Sequence, residues 1–260
     1  MNNLNNAAAI AAPPRLLQWL EWRALGEMAA TAFAWPTLAL APRGDGHPVL
    51  VLPGLVASDR STVLLRGFLR DRGYEVHGWG QGRNYGPRDG VREAMLAQLD
   101  QLHASSGRKV SLVGWSLGGL YARTLARERP DAVRNAIMLG SPIGGQPRAT
   151  NAWRLYELTS GRSADDAEDW ARSGEAGSVP ATSIWSRSDG VVAWRNSLLA
   201  PGKRAENISV CGSHLGLGAN AAVLYAVADR LAQPEGEWQP FKAPAMLRAL
   251  YPKVDAPSQP

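Results

Sequence analysis

Short apolar runs alternate with amphipathic stretches along most of the chain. The apolar runs, each as long as a buried strand, occupy residues 48–52, 74–78, 110–113, 136–139, 182–185 and 208–211. Apolar positions at helical spacing occupy residues 58–71, 88–106, 116–128 and 219–232. Strands that alternate with helices indicate a sheet of about six mostly parallel strands, covered by helices on both faces. The pattern therefore predicts an α/β fold.

Three regions depart from this rhythm. Residues 1–44 hold a polar tail followed by a helical pattern at 15–33, and residues 236–260 form an irregular, Pro-rich tail. Within the intervening domain, residues 45–235, the stretch 143–180 combines aromatic and acidic residues with poor strand signals. We interpret this stretch as a small helical cap inserted between two strands of the sheet.

The helical pattern at 15–33 permits two interpretations. Its mixture of apolar and charged side chains is typical of a helix packed on its own domain, and it also allows a weak peripheral contact with a membrane surface. The longest uncharged run, between Glu27 and Arg43, is too short to span a bilayer and contains Pro36. The first residues lack a positive side chain ahead of an apolar run, so we expect a cytoplasmic protein without a signal peptide.

Composition narrows the class of protein. Apolar residues make up 45% and charged residues 20% of the 260 residues, as in soluble globular proteins. The net charge of +5 comes mostly from scattered arginines rather than from a basic stripe, so a nucleic-acid partner is not expected. Cys211 is the single cysteine, which excludes an internal disulfide and a Cys-rich metal site, and we expect its side chain to be buried.

The first candidate for chemistry is the run Gly-Trp-Ser-Leu-Gly-Gly at residues 114–119. It follows a predicted strand and opens a predicted helix, which is the setting in which the pattern G-x-S-x-G forms a nucleophile turn. Gly114 and Gly118 leave room where a β-carbon would collide with the backbone. Ser116 is therefore the predicted nucleophile, projecting at the carboxyl edge of the sheet.

A serine hydroxyl needs a base to activate it, and the base needs an acid that orients it. His214 is the only histidine after Ser116, and it lies just past the last predicted strand. Asp189 follows the preceding strand and is the only carboxylate between Glu175 and Glu206. Because the carboxyl ends of parallel strands share one edge, His214 and Asp189 are the predicted base and acid.

Other titratable residues are weaker candidates. Three histidines precede Ser116 and are interpreted as structural or surface residues, namely His47, His77 and His103. Three carboxylates of the predicted cap are alternatives to Asp189 as the acid, on grounds of their distance from the other candidate residues alone. They are Asp165, Asp166 and Asp169.

Negative charge that develops on a substrate carbonyl needs N–H donors. One donor is expected to be Leu117, the residue after the nucleophile, and the other should come from the loop after the first strand. In that loop Gly54 would let the backbone approach a substrate closely, and we choose the N–H of Leu55 as the second donor. An ordinary Pro-Gly turn between strand and helix is the alternative interpretation of this loop.

Four segments together resemble bacterial α/β-hydrolases of the lipase and esterase type. They are Val-Leu-Val-Leu-Pro-Gly-Leu at 49–55, Gly-Trp-Ser-Leu-Gly-Gly at 114–119, Ser-Asp-Gly-Val-Val at 188–192 and Gly-Ser-His-Leu-Gly at 212–216. The resemblance spans residues 45–235 and implies the α/β-hydrolase fold with a Ser/Asp/His triad on the residues chosen above. Many lipases have His-Gly where this chain has Pro-Gly, which leaves the subfamily open.

Several residues are candidates for substrate contacts. Asn84 and Tyr85 follow the second strand, where the fold would bring them near the site, and Trp115 and Gly54 adjoin the nucleophile and the oxyanion loop. Aromatic side chains that would either line an apolar acyl pocket or belong to the core are Trp115, Trp153, Tyr156, Trp170, Trp185 and Trp194.

The expected activity is hydrolysis of a small-molecule or lipid carboxylic ester through an acyl-enzyme on Ser116, with no metal and no organic cofactor. A thioesterase, an amidase or an acyltransferase would use the same triad. A non-catalytic binding protein on the same fold is a further alternative, because a fold by itself does not define a function.

Overall fold

A single parallel sheet forms the centre of the protein. The computed structural model describes residues 9–165 and 177–253. Within these ranges six strands lie in the order β2-β1-β3-β4-β5-β6, and every neighbouring pair is parallel. The strands are β1 Pro48–Leu52, β2 Glu75–Gly78, β3 Val110–Trp115, β4 Val133–Leu139, β5 Ala181–Ser186 and β6 Ala205–Val210. The predicted α/β class with about six parallel strands is confirmed.

Helices cover both faces of the sheet. Among the described residues the α-helices are α1 Arg15–Trp19, α2 Ala24–Leu38, α3 Val63–Asp71, α4 Val91–Ser106, α5 Leu117–Glu128, α6 Trp153–Ser160 and α7 Ala221–Leu231. Shorter 3₁₀ turns lie at Leu20–Arg23, Asp59–Thr62, Trp194–Ser197, Leu217–Ala219 and Ala245–Leu250. Each of these helices is too short or too polar to traverse a bilayer.

Side-chain alternation along the strands divides the core into two layers. Leu50 and Leu52 of β1 point to one face of the sheet, where they pack with α4 and α5. Val49 and Val51 point to the other face and pack with α3 and α7. Because both faces are covered, all five residues of β1 are buried. This buried sheet holds the carboxyl ends of β3, β5 and β6 at one edge.

The N-terminal segment forms α1, a 3₁₀ turn and α2, and thus continues to Leu38 rather than ending at residue 33 as predicted. It packs on the domain in an unusual orientation. The charged residue Glu21 is buried with 5% of its surface exposed, whereas Trp22 is 75% exposed and Phe33 is 88% exposed. The segment therefore turns a carboxylate inward and apolar side chains outward.

The predicted cap is described only in part. Its residues 143–165 contain α6, and residues 166–176, which include Asp166, Asp169 and Trp170, lie outside the described residues. Residues 236–253 of the C-terminal segment are irregular apart from the turn Ala245–Leu250. Phe241 and Tyr251 of that segment pack against the core layer formed with α3 and α7.

The expectation that Cys211 is buried is wrong. Its side chain is exposed and forms no disulfide. The strand β6 ends at Val210, one residue earlier than predicted, and it lies at the edge of the sheet. Cys211 therefore begins the following loop instead of continuing the buried strand.

Candidate active site

Ser116 occupies the sharp turn between β3 and α5. Its φ is 54° and its ψ is −120°, a conformation that is strained for a residue with a β-carbon. A β-carbon on Gly114 would collide with the backbone of Gly118, and one on Gly118 would collide with the carbonyl of Leu52. The two glycines therefore allow the tight turn that places Ser116 at the carboxyl edge of the sheet.

His214 and Asp189 form a buried pair at the same edge. Nδ1 of His214 lies 2.7 Å from Oδ2 of Asp189, and the two residues are 4% and 3% exposed. The other carboxylate oxygen of Asp189 accepts hydrogen bonds from the N–H groups of Val191 at 2.8 Å and Val192 at 2.7 Å. These bonds fix the orientation of the Asp189 carboxylate, which in turn orients the imidazole of His214. Because Nδ1 faces Asp189, Nε2 is the ring nitrogen that remains available to accept a proton.

The environment of His214 raises the pKa of its imidazole. Burial is the largest single influence and by itself lowers this pKa, because it disfavours the imidazolium. The charge of Asp189, its hydrogen bond to the ring and the charge of Glu21 act in the opposite direction and together outweigh burial. The arrangement therefore favours a protonated ring once a proton arrives, which suits a base that must store one.

Ser116 and His214 line the same cavity, which has a volume of about 430 Å³. The hydroxyl of Ser116 forms no hydrogen bond with any of the described residues, so it is free to meet a ligand. A cavity of this size is within the usual range of small-molecule sites. Most of the other lining residues are apolar or small, among them Leu55, Val56, Ala57, Leu155, Val191 and Leu215.

The loop after β1 faces the nucleophile. A β-carbon on Gly54 would lie 3.2 Å from Cβ of Ser116, so the backbone approaches the turn closely. Val56, two residues later, has a φ of 52°, which is rare for a β-branched residue. The N–H groups of Leu55 and Leu117 have no acceptor among the described residues, and both residues lie beside Ser116 in a second, small recess of the site.

Asn84 does not line the cavity, contrary to its predicted contact with substrate. It is fully buried beneath the loop after β1. Its Nδ2 donates to the carbonyl of Pro53 at 2.9 Å, and its own carbonyl accepts from the N–H of Val56 at 2.6 Å. Its Oδ1 accepts from the N–H of Gly86 at 3.0 Å. Asn84 thus brackets the loop around Gly54 from both sides, which supports the strained position of Val56.

Tyr85 and Trp115 have different surroundings. Tyr85 is 38% exposed and lies beneath the guanidinium of Arg88 rather than in the cavity wall. Trp115 lines the cavity, and its Nε1 donates to the carbonyl of His214 at 3.2 Å. Trp115 therefore connects the nucleophile strand to the histidine loop.

The remaining aromatic candidates divide into two groups. Trp153 and Tyr156 of α6 line the small recess beside Ser116 and Leu117. Trp185 and Trp194 stack on each other with ring centroids 5.0 Å apart, and neither lines the two recesses that contain Ser116. The two aromatic side chains of α6 thus lie at the site, whereas the stacked pair lies away from it.

The other titratable candidates lie elsewhere. His47 is fully buried at the amino edge of the sheet, before β1. His77 pairs with Glu75, and Nδ1 of His103 lies 3.0 Å from the carbonyl of Arg108. Asp165 forms an exposed ion pair with Arg148. Among the described residues, no group of three or more His, Cys, Asp and Glu side chains could hold a metal ion.

The N-terminal segment contributes to the site in a way that the sequence does not predict. Glu21, Arg23 and Glu27 contact the backbone of the loops that carry Asp189 and His214. Arg23 and Glu27 are four residues apart, a helical spacing that brings their side chains together, whereas nothing in the local sequence pattern singles out Glu21.

Comparisons with known proteins agree with this architecture. No family model matches the chain. A stretch of 109 residues is 28% identical to serine hydrolase BPHL of Mus musculus, and it covers 38% of this chain but only 37% of the mouse protein. Aspergillus fumigatus lipase B superposes with a TM-score of 0.56 over 73% of this chain and 53% of the lipase, at 19% identity. An alpha/beta superfamily hydrolase from Oenococcus oeni superposes with a TM-score of 0.54 over 72% of this chain and 91% of that protein, at 17% identity.

The chain has the α/β-hydrolase fold. In α/β-hydrolases the nucleophile, the acid and the histidine follow one another along the chain in that order. Ser116, Asp189 and His214 have this order, and each lies after a strand of the sheet at its carboxyl edge.

Proposed function

We propose that this α/β-hydrolase is a serine hydrolase that cleaves carboxylic esters through an acyl-enzyme intermediate on Ser116. The observation that carries the proposal is the buried pair of His214 and Asp189, joined at 2.7 Å, together with the cavity that both His214 and Ser116 line. A binding protein would have no need of a strained serine beside an oriented imidazole.

Acylation begins when Oγ of Ser116 attacks the carbonyl carbon of the ester, and Nε2 of His214 takes the hydroxyl proton. The carboxylate of Asp189 stabilises the imidazolium through the bond to Nδ1. The tetrahedral intermediate then expels the alkoxide, which leaves as the alcohol with the proton from Nε2. The acyl group remains esterified to Ser116.

Deacylation repeats these steps with water in place of the serine hydroxyl. His214 takes a proton from water as its oxygen attacks the acyl carbon, and it returns that proton to Oγ as the acid leaves. In both halves the oxyanion is held by the N–H groups of Leu55 and Leu117, which have no acceptor among the described residues.

The lining of the cavity supports an ester over a strongly charged substrate. None of the residues recorded along the cavity wall is Lys or Arg, and the wall is mainly aliphatic. A phosphate or carboxylate group on the substrate would therefore lose its hydration without gaining a cation. An uncharged ester with an apolar acyl chain avoids that loss.

The test combines covalent labelling with turnover. A fluorophosphonate probe should form an adduct on Ser116, located by mass spectrometry, in the native protein and not in Ser116→Ala. Esters, thioesters and amides with the same acyl group, presented over a series of chain lengths, should show the highest kcat/KM for the ester. Absence of an adduct on folded protein would refute the serine-hydrolase proposal. A higher kcat/KM for the thioester or the amide would refute the ester as the substrate class and would leave the acyl-enzyme mechanism in place.

We also propose that substrates include lipid esters presented at a surface. The support is the outward side of the N-terminal segment, where Trp19, Trp22, Leu25 and Phe33 are between 67% and 88% exposed. Exposed apolar areas of this kind mark interaction sites, and tryptophan favours the interface of a lipid layer. Gln18 of the same segment lines the cavity, which brings this side close to the substrate entrance.

Cosedimentation with phosphatidylcholine vesicles tests the lipid contact. The double variant Trp19→Ser with Trp22→Ser should lose binding, whereas Leu158→Ser, which removes an 82% exposed leucine from α6, should keep it. Equal binding by both variants, or none by the native protein, would contradict the contact without affecting the labelling experiment.

A further inference from the structure

The N-terminal segment lies across the loops that carry the predicted acid and base. Oε1 of Glu21 accepts hydrogen bonds from the N–H of Gly190 at 2.7 Å and from the N–H of His214 at 3.0 Å. Its Oε2 accepts from the N–H of Leu215 at 2.8 Å. One carboxylate therefore joins the residue after Asp189 to His214 itself and to the residue after it.

Two further contacts fasten the same loops. Nη2 of Arg23 donates to the carbonyl of Ser188 at 2.5 Å, and Oε1 of Glu27 accepts from the N–H of Ser213 at 2.8 Å. A β-carbon on Gly190 would collide with the backbone of Leu17, so the acid loop and the segment are in close contact. The loops follow β5 and β6, and β6 is the edge strand, so within residues 9–165 and 177–253 no further strand supports the histidine loop from outside.

Glu21 is unusual among the carboxylates of the site. It is only 5% exposed, and within the described ranges it forms no ion pair with a cationic side chain. Backbone N–H donors balance the charge of Glu21. Because each N–H bond points in one direction, these hydrogen bonds hold the carboxylate and the two loops in fixed relative positions. Such a buried charge is costly unless its partners are held in place, so the segment and the loops stabilise each other.

We propose that Glu21 is a positioning residue of the hydrolytic site, which sets the relative placement of the Asp189 and His214 loops and adds a second negative charge beside the imidazole. This inference rests on the proposed function, since it assigns Glu21 a role in the proton transfer carried out by His214. The charge of Glu21 is one of the influences that, against burial, raise the pKa of His214.

Glu21→Gln tests the proposal with little change in shape. The amide presents an NH₂ group to one of the backbone N–H donors, and it removes the negative charge. We expect kcat to fall by about 10-fold or more with little change in KM, because the alignment of the base changes and the acyl cavity does not. The acidic limb of the kcat/KM profile should move to lower pH, because the imidazolium loses a stabilising charge.

Thr31→Val is the matched control. Thr31 belongs to the same segment and, like Glu21, is buried, with 2% of its surface exposed. Among the described residues its hydroxyl donates only to the carbonyl of Glu27 in its own helix. The variant perturbs the packing of the segment and leaves both loops untouched. Its kcat and its pH profile should match those of the native protein.

A second measurement separates this inference from the proposed function. The titration of the His214 ring, followed by NMR, should have a lower midpoint in Glu21→Gln than in the native protein. This measurement needs no substrate, so it tests the inference even if the protein hydrolyses no ester. Glu21→Asp, which is too short to reach both loops, should give the same direction of change if the glutamine variant does not fold. An unchanged His214 titration and a kcat within twofold of the native value in a folded variant would overturn the proposal.

Discussion

The ring of His47 lies 2.7 Å from the hydroxyl of Ser111 through Nε2 and 2.5 Å from Asp45 through Nδ1. These three residues form a second serine–histidine–aspartate arrangement. It lies at the amino edge of the sheet, before β1 and at the start of β3, whereas Ser116 lies at the carboxyl edge. His47 and Ser111 are fully buried, so no substrate reaches them, and a triad-like geometry without a cavity has a structural role.

His47 makes the fold sensitive to acid. Burial is the largest influence on the pKa of His47, and with the charges of Arg134 and Arg108 it lowers this pKa from 6.5 to about 4, although the hydrogen bond and the charge of Asp45 act in the opposite direction. Between pH 6.5 and 4 the unfolded chain binds a proton at this residue that the folded chain does not, so stability falls as the pH falls. We expect a loss of about 2–3 kcal/mol in the free energy of unfolding across that window.

Urea unfolding at several pH values between 7.5 and 4.5 measures this loss. His47→Gln should be less stable at pH 7.5 and should show a shallower decline toward acid. His77→Gln, which alters a histidine with a partly exposed side chain, is the control and should keep the native slope. Equal slopes for the native protein and His47→Gln would show that other groups dominate.

Ser116 and Ser111 have opposite expectations for labelling. Ser116→Ala should abolish the fluorophosphonate adduct and lower kcat by about 10³-fold or more, because the acyl-enzyme cannot form. Ser111→Ala removes a buried hydrogen bond to His47 and should cost about 1 kcal/mol of stability with unchanged labelling. Mass spectrometry of the adduct and thermal unfolding check both outcomes. Loss of labelling in folded Ser111→Ala would contradict the structural role.

Gly140 lies directly beneath the acid and the base. Its φ is +54°, and a β-carbon there would lie 3.0 Å from Oδ2 of Asp189 and 3.2 Å from Nδ1 of His214. Gly140→Ala should therefore lower kcat by about 10-fold or more, since small displacements of catalytic groups have large effects. Gly107→Ala is the matched control, because its φ is +64° with no atom within 4 Å. It should cost about 1 kcal/mol of stability and leave kcat unchanged.

Asn84 and Tyr85 are neighbours with opposite expectations. Asn84→Ala leaves the carbonyl of Pro53 without its donor and frees the oxyanion loop, so kcat should fall by about 10-fold and stability by about 1–3 kcal/mol. Tyr85→Ala should leave both kcat and KM unchanged, because Tyr85 lies outside the cavity wall. Steady-state kinetics with one ester compare the two. A raised KM in Tyr85→Ala would restore it as a substrate contact.

We expect the pKa of His214 to set the pH dependence of turnover and Asp189 to shift it. The pKa of His214 is raised above its ordinary 6.5, so kcat/KM should rise with pH through a midpoint above 6.5 as the ring loses its proton. Asp189→Asn should lower kcat by about 10³- to 10⁴-fold and move that midpoint downward. The pH profile of kcat/KM is measured with one ester at substrate concentrations well below KM. A midpoint that does not move would contradict the assignment of Asp189.

Local patterns were enough to predict the sheet and the order of the candidate triad. Strand runs, glycine spacing and the order along the chain depend on neighbouring residues, so they can be recognised in the sequence. Element boundaries depend on tertiary contacts, as at Cys211, because the end of an edge strand depends on what packs beside it. The role of Asn84 was likewise hidden from the sequence pattern, because its hydrogen-bond partners Pro53 and Val56 are about 30 residues away along the chain.

The sequence by itself determined the parallel α/β architecture and the segments that carry Ser116, Asp189 and His214. Only the tertiary structure decided that Glu21 joins the acid and base loops, because its hydrogen bonds span 169 to 194 positions along the chain. The partners of Glu21 are backbone N–H groups, which almost every residue possesses, so they leave no pattern in the sequence. Contacts of this kind arise only when packing brings distant segments together.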